Sequence, residues 1–185
     1  MPKGMAISYG TAGDGRQTAK SYEWLAVQDN EGITQDNILK HTRTETTTET
    51  VESTWGCPTM DGDEVLNATI TWTVQEAVID ASASGTAPQA VRFYDPRCEA
   101  SVTYLGSTNQ DSTFSFDGVT FDTVSSEIAE TLGDVKKVTV RGIAYEENNG
   151  LVTGSALSGT IRKEKRFSNT DYVRTTETTI SFSGS

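Results

Sequence analysis

The sequence holds one histidine, His41, and two cysteines, Cys57 and Cys98, in 185 residues. A single imidazole leaves little from which to build a conventional zinc site or a His-dependent catalytic array. The cysteines form no CxxC pair, and without a secretory leader they are expected to be reduced, although two facing strands could bring them together. No run approaches the roughly 20 apolar residues of a membrane-spanning helix. The opening Met1-Pro2-Lys3-Gly4-Met5 leads into polar residues with no apolar segment, so no signal peptide is expected. Prolines number only four.

Basic residues are also scarce. Fifteen Lys and Arg face 26 Asp and Glu, for a net charge of −11. So acidic a chain is poorly suited to neutralising phosphates, which argues against sequence-specific nucleic-acid binding. The charge is uneven: residues 41–90 carry one base, Arg43, against eight acids, whereas residues 161–185 carry five bases against three acids. Two readings fit this pattern. The charge keeps a strand-rich surface soluble, or an acidic surface faces nucleic acid without adhering to it while the basic end meets acidic neighbours in a head-to-tail assembly. Arg162, Lys163, Lys165 and Arg166 are the candidate basic contact patch.

What the chain has in abundance is threonine, with 29 residues, alongside 17 serines. A β-branched polar residue at this frequency favours strands with a wet face. Hydrophobic residues at 35% and charged residues at 22% suit a folded domain rather than a disordered polyelectrolyte.

Residues 1–37 read as an N-terminal arm or loop region and residues 38–185 as one β domain. Gly10 to Gly15 is a polar loop; without a following Lys-Ser/Thr it is no phosphate loop. Ser21 to Val27 fits a strand or a short helical turn. Residues 42–54 form a polar extended strand with almost no aliphatic side chain, and residues 172–182 repeat its character: Arg174-Thr175-Thr176-Glu177 resembles Arg43-Thr44-Glu45-Thr46. The two could pair, or their compositions could simply have converged. A strand wet on both faces cannot bury itself in a core, so Arg43, Glu45, Glu49, Glu52, Arg174 and Glu177 are candidate inter-subunit residues.

Elsewhere the alternation is regular. Ala68, Ile70, Trp72 and Val74 fall on one face of a strand, with Asn67, Thr69, Thr71 and Thr73 on the other. Val91 to Tyr94 is a short strand stopped by Asp95-Pro96, and another begins at Cys98. Asp117-Gly118 between two alternating runs signals a two-residue hairpin. Ser125 to Leu132 fits a strand or one short helix. Val138, Val140 and, past a bulge at Gly142, Ile143 are expected to face inward. The fold class is therefore all-β: an antiparallel sandwich or barrel with long Thr-rich strands and at most one short helix.

No catalytic constellation stands out, and an enzyme is not expected. No nucleophile sits in a GxSxG context, and no carboxylate pair is distinguished among the 26 acids. Asp61-Gly62-Asp63-Glu64 is an acidic turn lacking the alternating ligands of a calcium loop. No metal or cofactor is assigned. Trp24, Trp55 and Trp72 could line a sugar-binding face, Trp55 being the exposed candidate and Trp72 the core one.

The stretch from Cys98 to Tyr104, through Phe116-Asp117-Gly118-Val119-Thr120-Phe121, to Lys137-Val138-Thr139-Val140-Arg141-Gly142-Ile143-Ala144-Tyr145 resembles the β-sandwich core of small bacteriophage virion proteins of the tail-tube and head–tail connector kind. That resemblance implies a structural virion protein that self-assembles into rings or a tube with other virion proteins. The Thr-rich strands would be arms or lumen-lining strands, and an acidic lumen would let DNA slide. No catalytic residues come with it. A capsid decoration protein, or a monomeric β-sandwich module binding carbohydrate or a cell surface, are the other expectations.

Overall fold

A computed structural model describes residues 17–27, 38–52, 59–80, 90–168 and 173–184. The side chains of residues 17–27, 38–41, 79–80, 90 and 184 lie outside that description. Eleven strands appear in chain order: β1 (Gln17–Val27), β2 (Ile38–Glu52), β3 (Thr59–Met60), β4 (Asp63–Asp80), β5 (Ala90–Leu105), β6 (Thr113–Phe116), β7 (Val119–Ala129), β8 (Lys137–Tyr145), β9 (Gly154–Ser155), β10 (Ser158–Ser168) and β11 (Val173–Gly184). Every pairing is antiparallel. The fold is all-β, with no helix among the described residues.

The sheet runs β1-β2-β11-β10-β4-β5-β8-β7-β6, with β3 added to β4 and β9 to β5. Its core is the expected alternating face of β4 (Ala68, Ile70, Trp72, Val74), joined by Cys98, Val102 and Tyr104 of β5 and Val138 and Val140 of β8. The sheet rolls without closing into a barrel. Its β6 end meets β10 through side chains: Phe116 packs edge-on against Phe167, with centroids 5.2 Å apart, and Lys165 Nζ lies 2.7 Å from Asp117 Oδ2.

A second fold-back lies at the other end of β4. Strand β10 pairs with β4 only over Asn67–Thr73. Beyond that, β4 stays with β5 but leaves β10, and Glu76 meets Arg43 of β2 at 3.0 Å, although β11 and β10 separate those strands in the sheet. Arg43 stands opposite Phe182, and Thr178, Ile180 and Phe182 of β11 are all buried.

Several local expectations change. Asp95-Pro96 does not stop a strand: β5 continues through it, with Asp95 at φ 55° and the register against β4 slipping between Thr73 and Gln75. A bulge absorbs the proline, and Asp tolerates the left-handed conformation better than most residues. Of the two alternatives for Ser125 to Leu132, the structure shows strand over residues 125–129. Gly142 makes no bulge. The β5–β8 register runs unbroken past it, so Ala144 faces inward and Ile143 lies on the other face opposite Glu99. The Asp117-Gly118 turn is present, with φ of 50° and 80° and Phe116 opposite Val119, and Asp61-Gly62 forms a similar turn.

Residues 17–27 form β1, which pairs with β2 along all of its 11 residues; for Ser21–Val27 a strand was one of the two expectations. The boundary at residue 38 therefore does not separate them from the sheet. The loop at residues 10–15, Trp55 and Cys57 lie outside the described residues.

Candidate functional site

The two Thr-rich strands are neighbours. β2 and β11 pair over twelve positions, from Val173 opposite Glu52 to Gly184 opposite His41. Thr47 and Thr178 hydroxyls lie 3.2 Å apart, and Arg174 Nη1 lies 3.4 Å from Glu49 Oε1. Each strand has both edges occupied, β2 by β1 and β11, and β11 by β2 and β10. Pairing within the chain thus satisfies the backbones of both strands. Among the described residues the sheet ends at β1 on one side and at β6 on the other, and β2 buries none of its described side chains.

The basic patch is also reorganised. Alternation along β10 sends Arg162 and Arg166 to one face and Lys163 and Lys165 to the other, so the four cations do not form one surface. Arg162 and Arg166 both bond the buried Glu164 between them, while Lys163 reaches Glu177 at 3.2 Å and Lys165 reaches Asp117. Glu45 accepts from Arg43 at 2.9 Å.

Residues directly opposite on paired strands share a face, so register alone maps the outer face of the sheet. One row reads Val51, Arg174, Arg166, Thr69, Ser101, Arg141. The next reads Glu49, Thr176, Glu164, Thr71, Glu99, Ile143, and the third Thr47, Thr178, Arg162, Thr73, Arg97, Tyr145. An acidic row thus lies between two basic rows, on a molecule whose total charge is −11. No alternation within a single strand shows these stripes; they exist only across strands.

The inner face changes character sideways. One row runs Thr48, Glu177, Lys163, Trp72, Cys98, Ala144, polar on β2, β11 and β10 and apolar from β4 onward. Over the polar part stand the β6–β7 turn and the loop carrying Glu147 and Asn149. Between them lies a groove of about 680 Å³ lined by Thr50, Glu52, Thr175, Glu177, Lys163 and Lys165 on the sheet side, by Asp117 and Glu147 opposite, and by Trp72. Trp72 is buried, as expected for the core tryptophan, yet its indole Nε1 has no hydrogen-bond partner.

Cys98 is a free thiol at 0% exposure, and burial pushes its pKa up to about 12, with Glu147 and Glu99 adding to the effect. A thiol held neutral in this way is neither a nucleophile nor a metal ligand. Asp61 Oδ2 accepts from Gln110 Nε2 at 2.7 Å, and among the described residues no three His, Cys, Asp or Glu side chains gather to hold a metal. Against protein-family models, curated proteins and solved structures, the chain finds no match.

Proposed function

We propose that this chain is a structural protein that assembles with copies of itself into rings or a tube, in the manner of bacteriophage tail-tube proteins. The observation that carries this reading is the β1–β2 flank: an 11-residue strand with one edge unpaired among the described residues, beside a strand that buries no described side chain. An edge of that length presents a row of N–H and C=O groups to any strand that comes beside it. Symmetric addition of a second copy covers it, and repetition of that contact closes a ring or extends a tube.

Light scattering and negative-stain microscopy of the purified protein test the proposal, with ring-sized or larger particles expected. Proline at Ala19 or at Lys20 sharpens the test. Of two adjacent positions on an edge strand, one directs its nitrogen toward β2 and the other toward the open edge. The outward proline is expected to abolish assembly while leaving the monomer folded. A 20.0 kDa species at every concentration would overturn the proposal.

A further inference from the structure

We infer that Asn149 is a site of spontaneous covalent modification, and that the tight turn holding it sets the rate. The side-chain carboxamide condenses with the backbone nitrogen of Gly150 to a cyclic imide, which water opens to aspartate or isoaspartate. The inference is independent of assembly.

The sequence supplies the chemistry. Asn149-Gly150 is the only Asn-Gly step in the chain. The Gly150 nitrogen bonds to Cγ of Asn149 and gives up its proton, the Cγ–Nδ2 bond breaks, and ammonia leaves. Glycine has no Cβ to obstruct that approach. Water then adds to one imide carbonyl. Breaking the bond from nitrogen to Cγ yields aspartate, and breaking the bond to the backbone carbonyl carbon yields isoaspartate. The only co-reactant is water. Asp61-Gly62 and Asp117-Gly118 turn with the same signs of φ, but a carboxylate is a far weaker electrophile than a carboxamide.

The structure supplies the control. Asn148, Asn149 and Gly150 are exposed, so water has access. Leu151 N donates to the Asn148 carbonyl at 2.8 Å, and φ is 41° at Asn149 and 82° at Gly150. Two positive φ values inside such a bond define a type I′ turn, in which ψ of the first central residue is about +30°. That rotation places the Gly150 nitrogen nearly anti to Cβ of Asn149, away from the carboxamide carbon it must attack. Reaction requires the two atoms in contact and aligned, so the turn has to open first.

Opening is resisted on the following side. Leu151 is 4% exposed, and Val152 N donates to the Thr160 carbonyl of β10 at 2.8 Å. The product changes the loop. Isoaspartate adds one methylene to the backbone between Asn148 and Leu151, which the type I′ geometry does not accommodate. Either product adds a carboxylate next to Glu146 and Glu147, in a groove that Glu52, Asp117 and Glu177 already line.

The purified protein and a synthetic peptide of residues 142–162, incubated side by side in mildly alkaline buffer, test the inference. Mass spectrometry of tryptic digests counts deamidation at each asparagine, and isoaspartyl methyltransferase labelling counts isoaspartate. Asn149 is expected to react faster than Asn67, Asn109 and Asn148. In the folded protein it should react about tenfold or more slowly than in the peptide, and in urea-unfolded protein at the peptide's rate. Leu151→Ala, which removes the buried anchor, should raise the folded rate about threefold or more; should that variant not fold, the comparison of folded with urea-unfolded protein decides alone. A folded rate equal to the peptide's, faster deamidation at another of these asparagines, or no reaction at Asn149 in any sample would overturn the inference.

Discussion

Arg43 and Glu76 form a two-pronged ion pair between strands that are not neighbours: Nη2 lies 3.0 Å and Nε 3.2 Å from the carboxylate oxygens, with two strands intervening in the sheet. Both side chains are largely shielded, at 17% and 21% exposure. The pair latches the distal half of β4 onto β2. Arg43→Met is expected to destabilise the fold by about 1–3 kcal/mol, because Glu76 would lose its charged partner in a half-dry site. A double-mutant cycle with Glu76→Gln should show coupling, and faster amide exchange should appear in β4 beyond Thr73. Coupling near zero would contradict the latch.

The seam at the other end of the roll depends on Phe116 against Phe167, both under a tenth exposed. Phe167→Ala leaves a cavity where no backbone pairing holds the strands together. About 3–4 kcal/mol should be lost in denaturant unfolding. Lys165→Met tests the neighbouring ion pair, and its cost should stay near or below about 1 kcal/mol because Lys165 and Asp117 are each 29% exposed.

Gly142 sits where a Cβ would lie 2.5 Å from the Phe114 ring, 2.7 Å from Phe121 Cβ and 2.8 Å from the Asp122 carbonyl oxygen. Since part of that obstruction is backbone, the neighbours cannot simply rotate away. Gly142→Ala is therefore expected to cost about 1–3 kcal/mol despite a better intrinsic strand residue, with thermal unfolding as the measurement.

Cys98 yields a pH prediction. Its folded pKa, about 12, exceeds the ordinary thiol value of 9.0. Above pH 9 the unfolded chain gives up this proton while the folded chain keeps it, so stability falls as pH rises toward 12. Relative to Cys98→Ala, the native protein should lose on the order of 1 kcal/mol per pH unit in that window. A Cys57→Ser background isolates the thiol, which should resist iodoacetamide at pH 8 until the protein unfolds. Identical pH profiles for the native protein and Cys98→Ala would refute this account.

Much of the fold was legible because one variable, the alternation of side chains, governs it. Ala68, Ile70, Trp72 and Val74 could be assigned to a buried face from their spacing, and Asp117-Gly118 to a tight turn, since φ above zero at two successive positions suits few residue pairs. Positions where alternation breaks were harder. Asp95-Pro96 looked like a terminus because proline cannot donate to a ladder, yet a bulge carries β5 past it. Gly142 looked like a bulge because strand glycines often mark one, yet its reason is the close approach of Phe114 and Phe121, residues distant in sequence.

The candidate sites were the least legible. The cluster at residues 162–166 reads as one basic patch along the chain, and only the strand period splits it between two faces. The groove was not found at all; Trp72 is a core residue by spacing, and no local signal shows that its N–H lacks a partner. A Lys163–Glu177 or Lys165–Asp117 contact depends on which strands lie side by side, and that order is not local information.

By itself, the order of residues determined that this chain forms long antiparallel strands, where they turn, and which side chains of β4 turn inward, because those properties follow from φ/ψ preference and a period of two. The tertiary structure alone decided that β2 lies beside β11, that the outer face is striped by charge, and that Arg43 meets Glu76. Strand order, register and the curvature of the sheet join residues more than a hundred positions apart. The physical reason is that backbone pairing is nearly indifferent to side-chain identity, so the choice of neighbour is made by the burial and charge balance of the whole sheet.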